Sequence, residues 1–325
     1  MAETDWQPTA TRAALERRAA MLAATRHFFA ERKVLEVDTP VMVNAPVTDV
    51  HIHSAEVRLR RHGGDRLFLH TSPEFAMKRL LAAGSGDIYQ ICHVVRGRER
   101  GRLHNAEFTL IEWYRLGFSM HQLIDEVAAL VFTLLETPAS DRRAERITYR
   151  DAFLRELSLD PFTASLESLA QAASELGFQR TGLSETHRDE LLDLLMGSRV
   201  GPALGHGQLS FVHAYPASQA ALARLDPDDP AAALRFELYR DGVELANGFQ
   251  ELAAAAEQRA RFDQDREERK RRGLPAHAPD ERLLAALEAG LPDCAGVALG
   301  FDRLAMLAMG ASHIDDVLSF PVERA

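Results

Sequence analysis

A carboxylate, Glu112, stands in the middle of the run Glu107-Phe108-Thr109-Leu110-Ile111-Glu112-Trp113-Tyr114. The aromatic and β-branched residues around it predict a strand, whose side chains alternate faces. Phe108, Leu110, Glu112 and Tyr114 then share one face, and Thr109, Ile111 and Trp113 the other. A carboxylate in so apolar a run is costly to bury unless a cation or a hydrogen-bond donor meets it. A ring, a carboxylate and a phenol on one face suit a pocket for a flat ring and an ammonium group. The plainer reading is an edge strand with Glu112 in water.

A second constellation is Arg235-Phe236-Glu237-Leu238-Tyr239-Arg240-Asp241-Gly242-Val243-Glu244-Leu245-Ala246-Asn247. Asp-Gly between two alternating runs predicts a hairpin with a two-residue type I′ turn. That register sets Tyr239 opposite Glu244 and Glu237 opposite Ala246, which makes Glu237 and Glu244 diagonal neighbours. Two carboxylates so placed call for a cation, and Mg²⁺, which takes oxygen ligands, meets that need. Two exposed glutamates on a hairpin are the alternative. Asn247 and Glu251 follow, able either to bind an amino group or, for Asn247, to cap a helix. The loop Arg96-Gly97-Arg98-Glu99-Arg100-Gly101-Arg102 holds four arginines, whose planar forks suit phosphate or simply keep a hairpin tip soluble. Arg303 lies near a helix start, where a guanidinium gains nothing from the helix dipole, so a ligand is the better reason for it.

The elements that must position these groups follow from periodicity and breakers. A helix is predicted from Thr11 to Lys33, then an extended stretch from Val34 to Val43 containing Pro40. Ser72-Pro73-Glu74 opens a helix that points Met77, Leu80 and Leu81 inward and stops at Gly84. Ile88–Arg96 and Glu107–Arg115 form a long antiparallel hairpin. Residues 140–205 read as a helical insertion. Strands return at Leu209–Tyr215 and in the Asp-Gly hairpin, and a charged helix, Glu251–Arg272, precedes a last strand, Cys294–Leu299. Hairpins and helices with few βαβ units predict an α+β fold, an antiparallel sheet flanked by helices.

The bulk numbers bound the function. The 325 residues are 46% hydrophobic and 26% charged, enough for a large core. No run of about 18 apolar residues could span a bilayer, and the N-terminus has no signal-peptide pattern. The two cysteines, Cys92 and Cys294, read as reduced core thiols of a cytoplasmic protein. A formal charge of −10 argues against a general nucleic-acid binder. Metal motifs of the His-Glu-x-x-His or Cys-x-x-Cys type and a Walker-type lysine loop are absent.

Taken together, these pieces resemble the catalytic core of class II aminoacyl-tRNA synthetases of the lysyl type, most closely the ligases that attach (R)-β-lysine to translation elongation factor P. The likeness covers essentially the whole chain. The first class II motif is similar to Phe28–Val43, the second to Arg96–Tyr114, and the third to Gly300-Phe301-Asp302-Arg303-Leu304. The resemblance implies one catalytic domain over residues 1–325, with no N-terminal anticodon-binding domain, and a homodimer built on the first motif. It implies catalysis by Arg96 and Arg303, with Arg96 on the ATP α-phosphate. Gly97, Arg98, His104, Asn105, Glu244, Leu245 and Gly300 would line the nucleotide, and Phe108 and Arg303 would sandwich adenine. Glu237 and Glu244 match the carboxylates that carry Mg²⁺. Ser72, Pro73, Glu74, Glu112, Tyr114, Asn247 and Glu251 match the positions that hold the amino acid. Ala298, where lysyl synthetases have glycine, reshapes the pocket for a β-amino acid.

One departure stands out. The second motif usually reads Arg-x-Glu, and here it is Arg96-Gly97-Arg98. Glutamate accepts from the adenine amino group whereas arginine only donates, a loss of about 1.5–3 kcal/mol, roughly 10- to 150-fold in affinity. His93, Val94 and Ala106 also depart from the ligase pattern. The leading reading is a ligase that activates (R)-β-lysine or lysine with Mg-ATP and passes it to a lysine side chain of elongation factor P. The alternatives are a non-catalytic paralogue that binds an amino acid or partner as a regulator, and a lysyl-tRNA synthetase core acting on tRNA. The length of the chain weighs against tRNA as acceptor.

Overall fold

The structure is a computed structural model that describes residues 6–59, 66–178 and 188–325. In chain order the elements are α1 (Arg12–Glu31), β1 (Leu35–Glu36), β2 (Met42–Val43), β3 (Glu56–Arg58), β4 (Arg66–Leu69), α2 (Glu74–Ala82), β5 (Ile88–Val95), β6 (Glu107–Leu116) and α3 (Met120–Leu134). There follow β7 (Ala144–Thr148), α4 (Tyr149–Leu157), α5 (Leu166–Glu175), α6 (Arg188–Leu195), β8 (Leu209–Pro216), β9 (Ala232–Arg240) and β10 (Val243–Gln250). The chain ends with α7 (Ala255–Arg271), α8 (Glu281–Gly290), β11 (Cys294–Gly300) and α9 (Phe301–Ala308). Two compact units result, residues 1–118, 129–137 and 252–325 forming the first, and 119–128 and 138–251 the second.

In unit one β6 is the central strand, antiparallel to β5 on one side and to β11 on the other. β1 adds to β5 in parallel, the first departure from a purely antiparallel reading. The predicted alternation of β6 holds. Its Trp113 is fully buried, and its indole and Tyr89 of β5 pack on Phe29 of α1, with ring centroids 5.3 and 4.3 Å from the Phe29 ring. Thr109, on that same face, receives Arg18 of α1 on its hydroxyl at 2.8 Å, and its N–H donates to Asp302 of α9 at 2.8 Å. Arg18 also pairs with Asp302, so one ion pair ties both helices to the back of the strand. The opposite face is left for Phe108, Leu110, Glu112 and Tyr114.

In unit two β8 lies between β7, parallel to it, and β9, antiparallel to it, and β9 pairs with β10. Helices α4, α5 and α6 enclose a core of Tyr149, Phe153, Leu169, Ala173, Leu192 and Leu195. The helical reading of 140–205 misses β7, whose Ala-Glu-Arg-Ile-Thr carries a single large apolar side chain and is placed by its ladder to β8, not by its own pattern. Residues 179–187 of that predicted stretch lie outside the described residues. The Asp-Gly turn forms as predicted, with Asp241 and Gly242 at φ of 51° and 72°. Tyr239 faces Glu244, but a bulge at Leu245 then moves the register by one, so Glu237 lies opposite Asn247 instead of Ala246.

Candidate functional site

Unit one gathers most of the predicted residues around the Phe108–Tyr114 face of β6. Glu112 is 2% exposed, and donors satisfy it: Ser72 Oγ reaches Oε2 at 2.7 Å and the Tyr114 hydroxyl reaches Oε1 at 2.7 Å. The N-cap of α2 falls on Pro73 and not on the expected Ser72, whose Oγ still accepts from the N–H of Glu74 at 3.0 Å. The edge-strand reading of Glu112 is thereby ruled out. Glu74 keeps one oxygen on the ammonium of Lys78 at 2.7 Å, a lysine only 1% exposed, while its own side chain retains 16% exposure. Sequence reasoning passed over Lys78; its spacing four residues after Glu74 was the available signal. Ala298 of β11 is in register with Glu112, and Gly300 with Leu110.

At the other end of the same face lies Phe108, with the Arg96 guanidinium 5.2 Å from its ring centre. Arg96 Nε also donates to the Thr71 carbonyl at 3.3 Å. The Gly97 N–H donates to His53 O at 2.7 Å, and a Cβ at Gly97 would meet that oxygen at 3.2 Å. Arg98 follows in the left-handed region, φ 70°, with its side chain exposed. Arg303 donates to Leu103 O at 3.1 Å and to His104 Nε2 at 2.6 Å. Burial, then the charges of Arg303 and Arg96, lower the His104 pKa to about 4, so the ring is neutral and accepts.

The arginine loop divides into two pairs. Arg100 forks onto Asp315 at 2.9 and 2.8 Å and reaches Glu323 at 2.6 Å. Arg102 donates to Ser312 O at 3.4 Å. Arg96 lies 4.0 Å from the Glu99 carboxylate, and Arg98 is exposed. Asn105, expected at the nucleotide, is 3% exposed; its amide donates to Glu107 O at 2.7 Å and its oxygen accepts from the Val322 N–H at 3.1 Å. Both ends of that side chain are spent on the fold.

In unit two the Glu237 carboxylate is engaged on both oxygens, by Arg235 at 2.6 Å and by the Tyr239 hydroxyl at 2.7 Å. Arg235 is the residue that sequence reasoning missed, although it sits two positions before Glu237 on one strand face. It also donates to Asn247 Oδ1 at 3.2 Å and to Gln219 O at 2.7 Å, and lies 4.4 Å over the Tyr215 ring. The cation that meets Glu237 in this fold is Arg235. Burial, and then the Glu237 charge, push the Tyr215 and Tyr239 hydroxyls well above the ordinary tyrosine range. Leu245 and Glu251 are 2% and 3% exposed. Among the described residues no cluster of three or more His, Cys, Asp or Glu side chains is arranged to hold a metal.

A buried carboxylate fed by two hydroxyls thus stands at one end of the strand, and an arginine near an aromatic ring at the other. The model of the class II tRNA synthetases (D, K and N) matches residues 4–324. The chain belongs to this family. Within it, the chain is 51% identical to the elongation factor P–(R)-β-lysine ligase of Vibrio parahaemolyticus, over 98% of each chain. It is 51% identical to the protein of the same name from Vibrio cholerae over the full length of both, and 50% identical to that of Proteus mirabilis over 99% of this chain and 98% of the relative. As a family member the chain has the expected α+β fold, and the correspondence with these relatives runs from end to end.

Proposed function

We propose that this chain is an ATP-dependent ligase that activates (R)-β-lysine or lysine as an adenylate and transfers it to a lysine side chain of elongation factor P. The observation that carries the reading is the β6 face that bears Phe108, Glu112 and Tyr114. Phe108 with Arg96 and the Ser72–Glu112–Tyr114 cluster stand four residues, about 13 Å, apart on one strand face. That spacing suits a nucleotide joined through its α-phosphate to an amino acid. The names and full-length similarity of the relatives support the same substrates.

In the first step a carboxylate oxygen of the amino acid attacks the α-phosphorus, the bond to the bridging oxygen breaks, and pyrophosphate leaves. Arg96 offsets the charge gathering on the α-phosphate, and Glu74 and Glu112 orient the amino group. In the second step a neutral lysine amine of the acceptor attacks the acyl carbon, AMP leaves, and the nitrogen sheds a proton to water. No protein nucleophile is required. Mg²⁺ would enter with ATP as a counter-charge to the phosphates, with Glu237 and Glu244 as the carboxylates that would hold it. Cytoplasmic location and homodimerisation belong to the same proposal. Leu35, Val41 and Met42, exposed at 56%, 47% and 45%, give the first motif an apolar surface of the kind a second copy would cover.

The test is incubation with Mg-ATP, (R)-β-lysine and elongation factor P, followed by the acceptor's intact mass. A lysyl-sized increase, lost in Arg96→Ala, supports the reading. No increase, together with no ATP binding by calorimetry, would replace it by a regulator that binds an amino acid or partner.

A further inference from the structure

The nucleotide loop is held by the far end of the chain. Four arginines within seven residues repel one another, yet one of them, Arg100, is neutralised by two carboxylates more than 200 positions away. Arg100 makes a bidentate pair with Asp315 and a further bond to Glu323, at side-chain exposures of 34%, 22% and 54%. The Ile314 N–H donates to Arg102 O at 2.9 Å, and the Val322 N–H to Asn105 Oδ1 at 3.1 Å. The segment that supplies these groups is itself tied down. The backbone N–H groups of Thr9 and Ala10 donate to Ser319 O and Leu318 O at 3.0 and 3.1 Å, and Arg324 donates to Gln7 O at 3.1 Å.

We propose that Ser312–Ala325 is a positioning element for nucleotide binding, in which Asp315 and Glu323 act through Arg100 to fix the loop that presents Arg96 and Arg98 to the phosphates. The inference rests on the reading of that loop as the ATP site. Its reason is geometric. A loop with Arg98 in the left-handed region and Gly97 against His53 O has a defined shape, and the bonds that hold its distal half come from this segment. A bidentate arginine–carboxylate pair also fixes an angle, which a lone charge does not.

Positioning and plain electrostatics predict opposite signs here. The double variant Asp315→Asn/Glu323→Gln removes two negative charges near a site for a polyanion, so charge alone would tighten ATP binding. Loss of positioning weakens it. We expect the dissociation constant for Mg-ATP, measured by calorimetry, to rise about 3- to 30-fold. The KM for the lysine-type amino acid, and kcat at saturating ATP, should stay within twofold in pyrophosphate exchange. The reversed pair Arg100→Asp/Asp315→Arg should recover at least half of the loss. Unchanged or tighter ATP binding in the double variant overturns the proposal while the ligase reading stands. Absence of ATP binding by the parent protein overturns both. Should the double variant not fold, Glu323→Gln alone, at the most exposed of these positions, carries the same comparison.

Discussion

Glu74 and Lys78 form an asymmetric pair, and the asymmetry can be measured. The lysine is 1% exposed and the glutamate 16%. Replacing Glu74 by glutamine takes a carboxylate away from a buried ammonium, and we expect a loss of about 2 kcal/mol in urea unfolding. Replacing Lys78 by methionine leaves a carboxylate that reaches water and an apolar chain of similar volume, so it should cost less than half as much. Equal losses would mean that the pair is not what holds the charge. His104 gives a second residue-scale prediction. Its pKa falls to about 4 in the fold, from an ordinary value of 6.5. The unfolded chain therefore binds the proton first as pH drops. The stability that the neutral ring confers is complete above pH 6.5, declines between 6.5 and 4, and is gone below. His104→Gln keeps an acceptor for Arg303 and removes this titration, so its urea midpoint should fall less than the parent's between pH 7 and pH 4.5. Parallel curves would show that the ring protonates as freely in the fold as out of it.

Among the elements, the β9–β10 hairpin depends most on one residue. Gly242 has φ 72°, and a Cβ there would meet Pro202 O at 2.8 Å. Gly242→Ala therefore adds left-handed strain and a contact with backbone, which cannot easily yield. A loss of about 2 kcal/mol or more is expected on unfolding, and a loss under 0.5 kcal/mol would show that the turn relaxes. This hairpin also marks how far the sequence could be read. The Asp-Gly turn and the Tyr239–Glu244 pair were legible, because turn chemistry and period-two alternation are local. The bulge at Leu245 was not, since nothing in Leu-Ala-Asn marks it and only the ladder to β9 reveals it. Arg235 was hidden for a related reason: an arginine in a strand reads as a solvated edge until its partners, Glu237, Asn247 and Gln219, are known. The strand itself was legible from its aromatic and β-branched residues, and its period-two geometry put Glu112 and Tyr114 on one face. The arginine loop was half legible. Composition singled out an arginine-rich loop, but that Arg100 is engaged by Asp315 and Glu323 was not legible, because no local pattern encodes their nearness.

At the scale of the whole molecule the decisive property is where the positive charge goes. The chain carries 48 acidic and 38 basic residues. Several arginines are engaged by groups of the fold itself: Arg18 by Asp302, Arg100 by Asp315 and Glu323, Arg235 by Glu237, and Arg269 by the carbonyls of Asp49 and Pro275. A polyanion the size of tRNA needs a stripe of unspent cations, whereas a nucleotide needs a few. The acceptor that this charge distribution favours is a protein. With radiolabelled lysine or (R)-β-lysine and Mg-ATP at physiological salt, label should become acid-precipitable with elongation factor P and stay at background with bulk tRNA. Unlabelled tRNA added in excess should not slow the transfer, because it would not occupy the enzyme. Saturable charging of tRNA would mean that arginines counted here as spent release their partners when RNA binds. Competition by tRNA without charging would place a cationic surface beside the acceptor's approach, and the acidic balance of the chain would then have misled.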